Sequence, residues 1–526
     1  KNLSTVDAAT FALSVSSTFT LQAGSTFKQG GTVTAVPGVT RSMDPASTYV
    51  YNGAQTSITG SGAFGNLIWS STGNASAGLN LAITGNLTLL NSLQLRGSTG
   101  TTARSHTVAG NVIIDGATAV FVGTNAAATP NNGTWTISGN VTTQNGGILR
   151  GNNPSAGATG TFNIAGNIVN NGSIEHGTGT GLFVINFNGT SAQAVSGAGP
   201  ATIQDFTVSN AAGVTMNSAL TWTGAATVNA GTSLAAGAAL TNSGATAPAI
   251  NGTFQVNPGG SVSGVNFVYG ASGKLVFNNT SGLTVNNTDP DWPTASGPPN
   301  VTVQNGGGIT LGAGASRTIS GTLALGGGGG GRVTTGANAL TIGSAGTVTG
   351  PGSGSYVNGN LQKTVTISAG AGSQTWEVGD AALYAPINFA TTTGFTNVVL
   401  TGSTTPGDHG SIATSGLNAA KTANRFWTLA TNSGSFGTAD LTFNFNNPAD
   451  LDVTANPLSF VVKKFDAPST WAGTTTGTQT ATSTQALGVS GFSDFQVGET
   501  GCATITLSPA AGALPGATTR TTCDQT

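Results

Sequence analysis

Three small groups of ionisable residues could do chemistry. Asp289 and Asp291 stand two apart, as do Asp450 and Asp452, and Asp408 precedes His409. Loop carboxylates at this spacing are the raw material of a Ca²⁺ site, which gathers roughly six to eight oxygens. Neither stretch carries the run of further oxygen donors of a calcium loop, so ordinary solvated acids are the alternative reading. A fourth group emerges when four repeats are aligned on a glycine. Arg96, Val122, Arg150 and His176 then fall just before Gly97, Gly123, Gly151 and Gly177, with Glu175 beside the last. Such a strip would hold an anion or a sugar, or it would simply solubilise an outward face. Trp69, Trp135, Trp222 and Trp292 could stack on sugar rings, but their scatter favours core packing. A polysaccharide lyase or hydrolase needs clustered Asp, Lys or Arg, or two carboxylates flanking the scissile bond, and the repeats offer neither. The expectation is a non-catalytic chain without a metal or cofactor.

The elements that must position these residues recur. Gly-Asn pairs at Gly85-Asn86, Gly110-Asn111, Gly139-Asn140 and Gly166-Asn167 are spaced by 25, 29 and 27 residues, each flanked by alternating apolar and small polar residues. Gly110 to Gly123 reads as a strand of about four residues, a glycine turn at Gly116 and a second short strand. One such unit cannot bury its own apolar face, so stacked units must complete the core. The pattern predicts an all-β chain in three parts. Residues 1–355 form a parallel β-solenoid of roughly a dozen coils at about 25 residues each. Residues 356–499, with longer alternating strands and more aromatics, form a β-sandwich-like domain. Residues 500–526 are a strand or tail. The four prolines of the stretch 286–300 cannot donate ladder hydrogen bonds and predict a protruding loop or a break between blocks. Stacked Asn86, Asn111, Asn140 and Asn167 suggest an amide ladder, with asparagine suited to left-handed turn geometry.

Composition limits the partners. Charged residues make up 6% of the 526 residues, against about 25% in ordinary soluble chains. Collagen is excluded because the 81 glycines follow no period of three. A net charge of -2 without a basic stripe gives nucleic acid nothing to hold, and no apolar run approaches the roughly 18 residues of a membrane span. The only cysteines, Cys502 and Cys523, enclose 20 residues; a disulfide there would restrain the tail by about 3 kcal/mol. The chain opens at Lys1 without methionine, which reads as a processed or trimmed form.

The succession "YVNGNLQKTV", "WEVGD", "YAPINF", "FWTL" and "ATSTQALGVSGFSDFQVGE" resembles the modules that end β-repeat regions in large Bacteroidetes-type cell-surface proteins, often cargo of the type IX secretion system. The likeness covers about Asn300 to Glu499 and transfers no catalytic residue. "CATITLSPAAGALPGATTRTTCDQT" resembles the opening of a bacterial immunoglobulin-like repeat. The resemblance implies an extracellular, bacterial cell-surface location. The leading functional expectation is a structural subunit of a surface fibre or an adhesin stalk. A carbohydrate-binding surface module and a β-helix polysaccharide-degrading enzyme are the alternatives. Self-association through strand edges is expected, with Ala503, Ile505 and Leu507 as an assembly strand lacking a partner of its own, and a cell-surface or matrix polysaccharide as a further partner.

Overall fold

The computed structural model describes residues 5–9, 18–31, 40–55, 57–58, 63–98, 102–125, 131–153, 157–177, 180–304, 306–326, 330–365, 373–391, 395–501, 503–507 and 518–522. Among them there is no α-helix, only the 3-10 turns Ile412–Thr414 and Pro457–Ser459. A parallel β-solenoid of about 15 turns is followed by antiparallel sheets. The coil count exceeds a dozen because some coils are shorter than the motif spacing suggests: Asn66 and Asn86, on successive coils, are 20 residues apart. Two compact units result, Lys1–Val276 with Asp289–Ser296, and Phe277–Thr288 with Gly297–Thr526.

In the first unit a typical coil has three strands. Val112–Asp115 turns at Gly116 into Val120–Thr124, and a further strand, Gly133–Ile137, closes the circuit. The next coil repeats it as Val141–Gln144, Ile148–Asn152 and Gly160–Ile164, each strand pairing in parallel with its predecessor. The third strand lies outside the two-strand unit read from Gly110 to Gly123, because a variable loop separates it from the second. Alternation places Leu89, Ile114, Phe121, Leu149, Trp135 and Phe162 inside, all fully buried. Each such side chain removed from water contributes roughly 1.5–3 kcal/mol.

The proline-rich stretch lies where the chain divides between the two units, the second of the two expectations for it, and its middle is packed rather than protruding. Its residues Asp289–Ser296 belong to the first unit, Trp292 is fully buried, the Phe267 amide donates to the Pro290 carbonyl at 2.8 Å, and the Tyr269 hydroxyl donates to the Asp291 carbonyl at 2.6 Å. A tryptophan's apolar area outweighs the loss of ladder bonds at the prolines.

The second unit opens with further parallel coils, in which Leu283–Val285, Ile309–Leu311, Val333–Ile342 and Val357–Thr364 pair in sequence. Val357–Thr364 is the switch: parallel to Val333–Ile342 on one edge, it pairs antiparallel with Phe395–Pro406 on the other. Antiparallel pairing continues through Leu417–Phe436, Asp494–Thr500, Val461–Asp466 and Thr470–Gly473. A second antiparallel sheet comprises Ser373–Trp376, Ile387–Thr391, Ala439–Asn444, Ser483–Val489 and Thr475–Gln479. The sheets meet face to face where Phe443 of the second packs on Trp427 and Phe495 of the first, with ring centroids 5.2 and 5.0 Å apart.

Candidate functional site

The repeated Gly-Asn pair is a corner device. At three corners the glycine N–H donates to the preceding glycine carbonyl, Gly85 to Gly65 at 2.8 Å, Gly110 to Gly85 at 2.9 Å and Gly139 to Gly110 at 3.1 Å. Each asparagine N–H donates to the preceding asparagine Oδ1, from Asn86 to Asn66 at 2.9 Å and from Asn111, Asn140 and Asn167 to their predecessors at 2.8 Å. The ladder expected from the sequence therefore exists, but it joins side chain to backbone rather than amide to amide. Nor are these asparagines left-handed; positive φ occurs instead at Asn91 and Asn145. The corner admits no Cβ: one built on Gly139 would lie 2.6 Å from both Asn111 Oδ1 and the Gly110 carbonyl carbon.

The glycines that end the second strands do a different job. Gly97, Gly123 and Gly151 point inward where rings of the third strands enter. A Cβ on Gly97 would sit 2.6 Å from Trp135 Nε1, one on Gly123 would sit 3.1 Å from the Phe162 ring, and one on Gly151 would strike Phe183. The residues before them consequently face outward, as the alignment predicted for Arg96, Val122 and Arg150. Cross-strand register gives the row as Arg96, Val122, Arg150 and Glu175. Glu175, not His176, takes the fourth place, because its strand ends two residues before Gly177. Arg150 is ion-paired with Glu175, and the His176 ring lies 2.8 Å from the Gly181 carbonyl. Val122 is fully buried between its charged neighbours. Arg96 has no acidic partner among the described residues: its Nε donates to Gln94 Oε1 at 2.8 Å, and Asn153 Nδ2 donates to the same oxygen at 2.6 Å. Burial lowers the Arg96 pKa, although a guanidinium stays charged at any ordinary pH.

A residue the alignment did not single out, His106, is enclosed in the solenoid at 1% exposure. It occupies the inward phase of Arg104–Val108, the only sequence signal for its burial. Its Nδ1 accepts the Leu81 amide at 3.1 Å, which leaves the proton on Nε2, donated to the Gly97 carbonyl at 2.7 Å. The ring stacks on Trp135 at 4.1 Å. Burial pushes its pKa down to about 4 and Arg104 acts in the same direction, against the Gly97 carbonyl.

Of the candidate carboxylates the structure brings Asp408 and Asp452 together, both accepting from Thr422 Oγ1, at 2.6 and 3.1 Å, and each acid is held by structural hydrogen bonds. Asp450 accepts from Arg425 and from the Asn446 amide, at 2.6 and 2.7 Å. Asp452 accepts from the Thr422 amide and from Asn424, both at 2.8 Å. Asp408 accepts from Thr422 Oγ1 and Gln496 Nε2, both at 2.6 Å, whereas His409 faces Asp494 at 3.3 Å among Phe426, Phe465 and Trp471. Asp289 and Asp291 flank Pro290 in the packed proline-rich stretch, and among the described residues no three His, Cys, Asp or Glu side chains gather as metal ligands. Two buried charge clusters escaped sequence reasoning. Arg425 spans Asp380 and Asp450 at 2.9 and 2.6 Å, and Lys363 meets Glu377 at 2.6 Å. Arg425 shares the inward phase of its strand with Trp427 and Leu429, a charge at an apolar position that was visible in "NRFWTL".

Trp69, Trp135, Trp222 and Trp292 are at most 1% exposed and belong to the core, so they provide no sugar-stacking platform. Cys502 and Cys523 lie outside the described residues. The strand Ala503–Leu507, which carries Ala503, Ile505 and Leu507, does form, but it has a partner: it pairs antiparallel with Thr518–Thr522. No helix among the described residues is long and apolar enough to cross a membrane. No protein-family model, curated protein or solved structure matches the chain.

Proposed function

We propose that the chain is an extracellular structural protein of a bacterial cell surface, a non-catalytic subunit of a fibre or an adhesin stalk. The observation that carries this reading is the long stack of parallel coils locked at its corners by one repeated backbone device. Such a stack makes every coil depend on its neighbours, which suits a load-carrying element. The uncharged turns and the engagement of Asp408, Asp450 and Asp452 in structural hydrogen bonds support the non-catalytic reading. The likeness of residues 300–499 to type IX-exported surface proteins supports the location.

Assembly proceeds by strand addition. The hairpin of Ala503–Leu507 and Thr518–Thr522 pairs with no other strand among the described residues, and an isolated hairpin is marginal in water. Adding it to a sheet of another copy completes it, and a non-closing operator then yields a filament. Electron microscopy and sedimentation of the full chain test this: filaments are expected, and they are lost on deleting Gly501 to Thr526. A chain that stays monomeric at high concentration overturns the fibre, while a trimmed chain that still polymerises overturns only the hairpin's part.

A further inference from the structure

We propose that Asn145 is a self-modification site, deamidated through attack of the Gly146 amide nitrogen on its side chain, with Asp115 as the brake. Asn145 and Gly146 are the central residues of the turn joining Val141–Gln144 to Ile148–Asn152. Both are exposed, and both have positive φ, 52° and 84°. The Gly147 amide closes the turn by donating to the Gln144 carbonyl at 2.9 Å, an arrangement that Asn-Gly favours between strands. A glycine after asparagine is the most reactive context for this cyclisation, because no Cβ shields the attacking nitrogen.

Other Asn-Gly pairs share that chemistry, and their hydrogen bonds separate them from Asn145. The Gly133 and Gly252 amides donate to the Thr159 and Val228 carbonyls at 3.1 and 3.2 Å. Gly172 and Gly189 donate to Thr143 Oγ1 and Gln193 Oε1, both at 3.0 Å, while Gly53 and Gly359 lie inside paired strands. The Gly146 amide has no acceptor among the described residues, so its nitrogen is available without breaking a bond of the stack. An exposed turn is also the part of a coil that opens at least cost.

Ring closure requires the Asn145 side chain to swing towards Gly146, and Asp115 of the preceding coil opposes it. Asn145 Nδ2 donates to Asp115 Oδ1 at 2.7 Å, and Gln144 Nε2 donates to Oδ2 at 2.9 Å. These two bonds, that from Asn145 first, hold the Asp115 carboxyl below its ordinary value, so it stays a charged acceptor at neutral pH. When the side chain escapes, the bond from Gly146 N to Asn145 Cγ forms as the Cγ–Nδ2 bond breaks. The Gly146 proton leaves with the ammonia, and water then opens the cyclic imide to aspartate or isoaspartate. Either product sets a second carboxylate where Asp115 had a donor, and isoaspartate also lengthens the main chain through the turn. Nothing in this chemistry depends on filament formation.

Peptide mapping by mass spectrometry of the full chain, held at pH 8 over several weeks, tests the site. Asn145 is expected to convert at least about tenfold faster than Asn132, Asn171, Asn188 and Asn251, whose glycine amides must first be freed. In concentrated urea, where every Asn-Gly pair is equally free, the five rates should become alike. Asp115→Ala should speed conversion of Asn145 severalfold in the folded chain. The comparison in urea needs no variant, so the test survives if Asp115→Ala fails to fold. The proposal is overturned if the five sites convert at one rate in the folded chain, if another of them converts first, if the order seen in the folded chain persists in urea, or if folded Asp115→Ala keeps the original rate.

Discussion

Gly139 is not among the glycines with positive φ, so its requirement for glycine is one of space. The backbone of the preceding coil stands where a Cβ would go. Gly139→Ala must push two hydrogen-bonded corners apart, and overcrowding of this kind costs roughly 1–3 kcal/mol. Gly410→Ala is the control, because a Cβ there meets nothing within 4 Å. Chemical denaturation should show a lowered midpoint for the first and none for the second; equal effects would refute the steric account. Asn111→Ala acts more gently: it frees the Asn140 amide at an exposed corner, where water replaces the lost acceptor, and about 0.5–1.5 kcal/mol is expected. The spacing of these pairs was legible in the sequence, yet the partner of each Oδ1 was not. Four identical asparagines suggest pairing of like with like, whereas the unpaired backbone N–H at each corner has the stronger claim on an acceptor. The same limit moved the fourth place of the outward row from His176 to Glu175, since register is decided by pairing across strands rather than by a shared glycine.

A coil is the unit that evolution can add or remove, and the register says where to cut. Asn140 and Asn167 are 27 residues apart, and Val141 pairs directly with Ile168. Deleting residues 141–167 joins Asn140 to Ile168 with every later strand in phase. The shortened chain should keep a β-type circular dichroism spectrum and unfold cooperatively, whereas deleting only 141–153 turns the following faces out of register and should abolish folding. If both deletions fold equally well, the coils are not the interchangeable elements described. In the antiparallel part the sensitive element is the strand Leu417–Phe436, which carries Arg425 into the core between Asp380 and Asp450. Arg425→Leu leaves two buried carboxylates facing each other, and losses of about 3–5 kcal/mol follow breakage of such a group. Urea titration would read this directly, and a loss under 1 kcal/mol would mean that water reaches the cluster. Strand alternation predicted both elements. The third strand of each coil and the partners of Arg425 stayed hidden because they depend on loops of variable length and on residues 25 and 45 positions away.

The whole molecule carries few charges, so its response to acid depends on a handful of buried groups, and the two units hold different ones. His106 lies in the first unit, and its pKa falls from 6.5 to about 4 on folding. The unfolded chain therefore binds the proton first, and the stability that neutral His106 contributes is complete above about pH 6.5 and lost as the pH falls towards 4. The shift amounts to roughly 3 kcal/mol across that window. Leu81, Gly97, Trp135 and Arg104 surround the ring, with no acid among the described residues beside them to compensate a charge. In the second unit burial pushes Asp380 up, but the amides of Ala382 and Leu383 together with Arg425 outweigh it and hold the carboxyl below its ordinary value. A depressed carboxyl contributes stability above its unfolded pKa of 3.8 and loses it only below that. Asp408, raised by burial and by Asp452 against hydrogen bonds from Thr422 and Gln496, acts the other way, since protonating it in mild acid relieves the folded state. Acidification from pH 7 to 4.5 should therefore weaken the coils around His106 while the antiparallel sheets hold. Hydrogen exchange should show faster opening of Arg104–Val108 and Gly133–Ile137 at pH 4.5, after correction for intrinsic rates, with Leu417–Phe436 unchanged. His106→Gln should remove most of the pH dependence in the coils. Antiparallel sheets that open first, or coils whose pH response survives the substitution, would show that some other group controls the molecule's acid limit.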